Sequence, residues 1–312
     1  GVTTFIEDIV LFKTEFEKKS LTTRPSATWM TSPNLDHYAF VNGATLSVFN
    51  TDQLEAQTTA SVPLGTTIKH WSTNEQQLIV KNQDQWNQIA VSSGQMTPLT
   101  SADDIQTNNG SSHWILRNSI LTLDQSDSST RLATNTRDFI LRDRLVILRQ
   151  NGELVVGDDR GQERWRQSVP TDSQLIDFRD NTVILRSGQE TLVVNSEGIQ
   201  ERIPAELTDW RGDKLLLSND FELWSYTISS KSLQLIDRTS NRIQQAFWHP
   251  SLSYLSMVQN NQLFILELDN RGEKRHRIFL AEVRPDYNFL YNKKGEEITI
   301  ISPQEHYRLI IQ

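Results

Sequence analysis

Short apolar runs, separated by clusters of Asn, Gly, Asp and Ser, recur along almost the whole chain. Two stretches show the pattern best: YAFVNGATLSVFN, from Tyr38 to Asn50, and LSMVQNNQLFILE, from Leu255 to Glu267. They align without a gap, and each is an apolar run, a two-residue turn and a second apolar run. Many of the apolar residues are β-branched or aromatic, which with tight turns on both sides predicts β-strands. Asn and Gly recur between the runs because two-residue hairpin turns need positive φ. Helical periodicity is nearly absent, and the best helical candidate is TEFEKKSL, from Thr14 to Leu21.

The strands repeat as larger units. DRLVILRQNGELVVGDDRGQERW, from Asp143, matches DNTVILRSGQETLVVNSEGIQERI, from Asp180, with Val146 to Arg149 answering Val183 to Arg186. Paired central strands can be placed near Tyr38/Leu46, Leu78/Ile89, Trp114/Leu121, Val146/Val155, Val183/Val193, Leu215/Leu223, Leu255/Phe264 and Ile298/Leu309. A spacing of roughly 36 residues suits the four-stranded blades of a β-propeller, whose repeats run about 40. The chain is therefore expected to be all-β, an eight-bladed propeller with seven blades as the alternative count. A pair of β-sandwich domains would explain the strands but not their spacing.

The expected layout is a single domain over residues 1–312, with blades starting near 26, 65, 101, 134, 170, 206, 242 and 283. The last unit ends at Gln312 after three strands. VTTFIEDIVLFK, from Val2 to Lys13, has no partner of its own and is expected to supply the fourth strand, closing the ring and removing two sheet edges. Residues 14–25 would then cross to the first blade.

Composition narrows the function. The formal charge of −8 argues against non-specific nucleic-acid binding, which depends on phosphate neutralisation. The densest basic stretch, RGEKRHR from Arg271 to Arg277, reads as a solvated strand or turn. There is no cysteine, so disulfides, thiolate metal sites and a cysteine nucleophile are excluded. No apolar run approaches the roughly 20 residues of a membrane span. The chain opens at Gly1 without a signal sequence, which reads as a piece of a longer protein with any anchor elsewhere.

Some residues resemble known propeller repeats. DDRGQERW, from Asp158 to Trp165, resembles the Gly-x-x-x-Trp turn and strand of the quinoprotein-type repeat through Gly161 and Trp165. Trp29 and Pro33 ahead of Tyr38, and Trp248 and Pro250 ahead of Leu255, are similar to the blade openings of TolB and WD40-like propellers. The opening VTTFIEDIVLFK is similar to the join between PEGA repeats and the propeller domains that follow them in bacterial envelope proteins. That resemblance implies a non-catalytic, membrane-tethered domain outside the cytoplasm. It implies no quinone chemistry, since many quinoprotein dehydrogenases carry a cysteine pair at the cofactor that this chain cannot form.

Candidate chemistry is sparse. His37, His70, His113, His249, His276 and His306 are spread out, with none in a local metal-ligand motif, and the His-Trp neighbours read as blade openings or edges. A propeller can gather one residue per blade around its channel, so spacing alone does not exclude a shared site. SNDFELW, from Ser218 to Trp224, resembles a sialidase-type Asp-box but carries Glu222 in place of Gly, and a polar turn opening a strand is the simpler account. Asp103 with Asp104, and Asp124 with Asp127, are paired carboxylates expected in solvated loops, without the Gly-containing pattern of a calcium loop. The eight tryptophans are expected mostly between blades. Asn109-Gly110-Ser111 is a lone glycosylation sequon.

No catalytic, cofactor-binding or metal residue and no cofactor is therefore assigned. The expected function is a protein-binding or scaffold propeller, monomeric as a domain, using one face of the ring. It would sit at the cell surface or in the periplasm, tethered through a segment outside this chain. The alternative is a hydrolase or lyase with its site in the central channel. An enzyme should show shifted acidic or basic groups in a deep pocket; a scaffold should show a plain channel and an apolar patch on one face.

Overall fold

In a computed structural model, the described residues are 14–20, 28–52, 56–108, 112–125, 128–268, 275–284, 287–301 and 305–311. They form eight four-stranded antiparallel sheets, the blades of one propeller. The strands of each blade are called a to d from the channel outward. The inner a strands are Thr28–Thr31, Thr67–Trp71, Asp104–Thr107, Thr136–Leu141, Gln174–Arg179, Glu206–Arg211, Ile243–Trp248 and Asn288–Tyr291, for blades 1 to 8.

The middle strands are buried on both faces because every blade is packed between two others. Leu145–Arg149 and Glu153–Gly157 of blade 4 are almost wholly buried, which is why their sequence is a continuous apolar run. The d strands lie on the rim and are mostly exposed, as in Ser128–Thr134. The hairpin turns take the conformations their residues favour: Asn260 and Asn261 have φ of 51° and 60°, and Gly43 has 59°.

The core is divided into eight apolar clusters, one at each interface between neighbouring blades. Ala39, Val41 and Leu46 of blade 1 meet Ile68, Leu78 and Val80 of blade 2. Val146 and Leu148 of blade 4 meet Phe178 and Val183 of blade 5. The ring closes where Tyr38, Phe40 and Phe49 of blade 1 meet Leu290 and Ile301 of blade 8, with the Tyr38 and Phe49 rings stacked at 4.9 Å. All eight tryptophans pack in or against these clusters, and none is exposed.

An N-terminal strand completes blade 8 and closes the ring, as expected, but the pairing segment is Thr14–Ser20. Glu305–Ile311 of blade 8 pairs along its whole length with Thr14–Ser20, from Thr14↔Ile311 to Ser20↔Glu305. The sequence instead suggests a crossover or a short helix there. An isolated helix this short is marginal, whereas the ladder satisfies backbone groups along a full sheet edge. Val2 to Lys13, the expected closing strand, lies outside the described residues, as do Asn109 to Ser111, Asp127 and Arg271 to Lys274.

Candidate functional site in the central channel

The inner strands share a local device. In blades 3 to 6 each carries Asp followed by an apolar residue: Asp104-Ile105, Asp138-Phe139, Asp177-Phe178 and Asp209-Trp210. The apolar member is buried between blades, and the carboxylate accepts a hydrogen bond from its N–H. The distance is 2.8 Å for Phe139 and Phe178 and 2.7 Å for Trp210. In blades 4, 5 and 6 a β-bulge immediately precedes the Asp, and an extra residue of this kind re-aims the side chain. His70 and Gln245 occupy the same bulged place in blades 2 and 7.

These side chains form a polar belt between inner strands. His70 Nε2 lies 2.8 Å from Asp104 Oδ1. Gln106 donates to Phe139 O and accepts from Leu141 N, both at 2.8 Å, so an amide side chain stands in for a strand between blades 3 and 4. Asp177 is held by Arg142 at 3.4 Å and Arg179 at 3.1 Å, and Arg179 donates to Trp210 O at 2.9 Å. Asp209 accepts from Trp248 N at 2.7 Å, and Gln245 donates to Tyr287 O at 2.7 Å.

Burial in this belt shifts its acids. Burial pushes the Asp104 carboxyl up, but the hydrogen bond and charge of His70, with the Gln106 amide and Ile105 N–H, outweigh it and hold Asp104 below the usual range. Burial raises Asp138, and the hydrogen bond from Phe139 N–H, Arg137 and His70 do not offset this. Burial also raises Asp209 despite Arg211 and the Trp248 and Trp210 N–H groups. The same desolvation of the charged form lowers His249 and His113.

One expectation is corrected here. Asp104 is not a solvated loop charge: it opens the inner strand of blade 3 and faces the channel. His70 lies, as expected, at a blade opening, on the inner edge strand Thr67–Trp71 of blade 2, where it lines the channel. The missed signal was the recurrent Asp-aromatic pair at Asp138, Asp177 and Asp209, set apart from the repeat's more visible b–c hairpins. The other described sites are structural. Asn219 Oδ1 accepts from the N–H groups of Phe221 and Glu222, so Ser218–Trp224 is a capped turn. His37 contacts the buried Glu75 at 3.3 Å. His113 lies 2.7 Å from Gln88. Asp124 accepts from the Ser129 hydroxyl at 2.5 Å. Among the described residues no group of His, Asp or Glu is arranged to hold a metal ion.

The turns between a and b strands divide the ring. In blades 7, 8, 1 and 2 they are wide, with Leu252, Gly295, Leu35 and Glu75 at positive φ. Each of these residues donates its N–H to the carbonyl three residues back. In blade 5 the turn is tight, with Asp180 and Asn181 at its tip. The wide turns include both stretches that resemble TolB-type openings, and Gly161 and Trp165 lie in the other half. A cavity of ≈ 430 Å³ is lined by the inner strands of blades 2 to 5 and by Met30 to Leu35 of blade 1. Among the described residues five large apolar side chains are exposed: Leu64, Met96, Ile176, Phe221 and Phe279. They come from different parts of the ring and share no apolar cluster.

The protein is thus an all-β, eight-bladed propeller with a charged inner wall. No family model matches the sequence, and no curated protein matches it. Solved structures give the fold. The chain is similar to the C-terminal WD40 domain of Sif2, with TM-score 0.61 and 13% identity over 95% of this chain and 98% of that one. It is similar to BamB from Moraxella catarrhalis, with TM-score 0.60 and 10% identity over 96% and 100%. A eukaryotic initiation factor gives TM-score 0.58 and 11% identity over 94% and 89%. No helix of the described residues is long and apolar enough to cross a membrane.

Proposed function

We propose that this propeller is a non-catalytic, protein-binding scaffold, the extracytoplasmic domain of a membrane-tethered bacterial envelope protein of the kind in which PEGA repeats precede a propeller. The observation that carries the reading is the match of the complete ring to BamB, over 96% of this chain and all of that one. A rigid ring whose function sits in loops needs no reacting groups. The docking face is the one carrying the a–b turns. Its exposed charges include Lys294 in blade 8, and Lys293 there is paired with Asp36 of blade 1.

The test is capture of partners from native cell-envelope extract, with identification by mass spectrometry. A partner should be retained by the intact ring and released by Lys294→Glu with Asp143→Lys on the a–b face. It should stay bound to Asp84→Lys on the opposite face. Retention of cytosolic proteins alone would overturn the envelope assignment, and no face-dependent partner would overturn the scaffold.

A second reading, a hydrolase or lyase working in the channel, is favoured by the His70–Asp104 pair beside Asp138. An oriented imidazole and a carboxyl with a raised pKa are the parts of an acid–base pair. Turnover of a substrate panel that disappears in both His70→Gln and Asp138→Asn would establish that reading.

A further inference from the structure

The channel cavity carries opposite charges along one inner strand and the turn after it, at Asp138 and Arg142. Asp138, Ile140 and Arg142 are alternate residues of blade 4's inner strand and the turn after it, so they share a face. All five residues from Asp138 to Arg142 border the cavity, but Asp138, Ile140 and Arg142 are partly exposed, whereas Phe139 and Leu141 are buried in the blade interface. An acid, an aliphatic group and a base thus stand in a row, with Cα atoms roughly 13 Å apart from first to last at the usual strand rise.

The two charged groups are not used alike by the fold. Asp104 is satisfied by His70, and Asp177 is shared by two guanidiniums. Asp138 accepts the Phe139 N–H, but among the described residues no cationic nitrogen reaches salt-bridge distance of it. Burial raises its pKa, with Asp104 adding to the rise, and the charges of Arg137 and His70 do not offset it. Arg142 shares Asp177 with Arg179, so this trio carries one net positive charge, and the Arg142 contact is the longer of the two. A guanidinium has five donors, and most of those on Arg142 have no side-chain partner among the described residues.

A purely cationic ligand would suit Asp138 and be repelled at Arg142; a purely anionic one would suffer the reverse. The lining holds three carboxylates (Asp104, Asp138 and Asp177) against three permanent cations (Lys69, Arg142 and Arg179), so it favours neither net charge. Its apolar members include Ile140, which stands between Asp138 and Arg142 on the strand, with Met30 of blade 1 and Leu175 and Ile176 of blade 5. The volume falls within the roughly 300–1,000 Å³ of small-molecule pockets. We propose that the channel binds a small dipolar ligand with the chemistry of an apolar di- or tripeptide. Its protonated amine would rest on Asp138, its apolar body on Ile140 and Leu175, and its carboxylate on Arg142. This does not depend on the scaffold reading, since a ligand site in the channel is compatible with a docking face around it.

The experiment is calorimetric titration of the full chain with alanyl-leucine, N-acetyl-alanyl-leucine and alanyl-leucinamide. Alanyl-leucine should bind saturably, and each capped form should bind about tenfold more weakly or worse, since each loses one charge-assisted contact. Asp138→Asn should abolish discrimination against the acetylated peptide, and Arg142→Gln discrimination against the amide. Ile140→Trp, which fills the cavity without touching either charge, should remove binding while the ring still melts cooperatively. It keeps the proposal testable if a charge variant fails to fold. Absence of saturable binding, equal affinity for the capped forms, or unchanged discrimination in both charge variants would overturn it.

Discussion

At the scale of single residues, the inner wall keeps a charge that the fold does not need. Asp138 is raised by burial, with Asp104 adding repulsion and Arg137 and His70 opposing it. A carboxyl whose folded pKa lies above its unfolded value favours the folded state fully below the unfolded value of 3.8, and this contribution is lost as pH rises through the folded pKa. Asp138→Asn, which keeps an acceptor for the Phe139 N–H, should therefore raise the melting temperature at pH 7 by about 2 °C. The gain should vanish as the unfolding midpoint is followed to pH values below 3.8. On the face carrying the a–b turns, backbone geometry is the firmer constraint. Gly295 has φ of +80°, and a Cβ there would lie 2.2 Å from His249 Nε2. The imidazole is fixed by the Gly295 carbonyl at 3.1 Å and an edge-on contact with Tyr291 at 4.9 Å. Gly295→Ala should lose about 2–3 kcal/mol in denaturant unfolding. Gly43→Ala, at φ +59° with open space around the Cβ, should lose only about 1 kcal/mol.

At the scale of elements, the b and c strands were legible because both of their faces are buried and their apolar runs are unbroken. The Asn- and Gly-containing turns were legible because positive φ restricts which residues stand there. The d strands and the inner wall were less so, for opposite physical reasons. A rim strand such as Ser128–Thr134 is exposed and carries little apolar signal. An inner strand such as Gln174–Arg179 spends its polar side chains on neighbouring blades, so Asp177 and Arg179 look like loop residues until the ring brings Arg142 beside them. Thr14–Ser20 joins both difficulties, being charged, short and paired with a segment at the other end of the chain. The pairing carries a sharp expectation. Removing residues 1–20 should leave Glu305–Ile311 with an open edge and abolish the cooperative thermal transition followed by circular dichroism. Equal melting of that truncation and the intact chain would show that the edge strand contributes nothing to closure.

At the scale of the whole molecule, each blade is held by two apolar interfaces, and closure is only as strong as the weakest of the eight. Among the described residues the cluster between blades 1 and 2 holds twelve buried apolar residues and that between blades 2 and 3 four, and the interface between blades 8 and 1 rests on five. It has additional support: blade 8 takes strands a to c from one end of the chain and strand d from the other, so the chain ties the seam as it passes to blade 1. A circular permutant separates this tether from the packing. Joining Ile311 to Thr14, which face each other in the ladder, and opening the chain just before Thr28 would place all eight blades in the chain order a to d. Every hydrogen-bonded strand pair and every apolar cluster would be kept. The seam would lose only its covalent tie, so local opening there would no longer be limited by the loop-closure constraint. The permutant should fold to the same circular dichroism spectrum, melt at a lower temperature and unfold faster. It should also exchange amide hydrogens first in Thr28–Thr31 and Asn288–Tyr291. If it melts with the parent and those strands stay protected, packing of Tyr38, Phe40, Phe49, Leu290 and Ile301 alone is sufficient to close the ring.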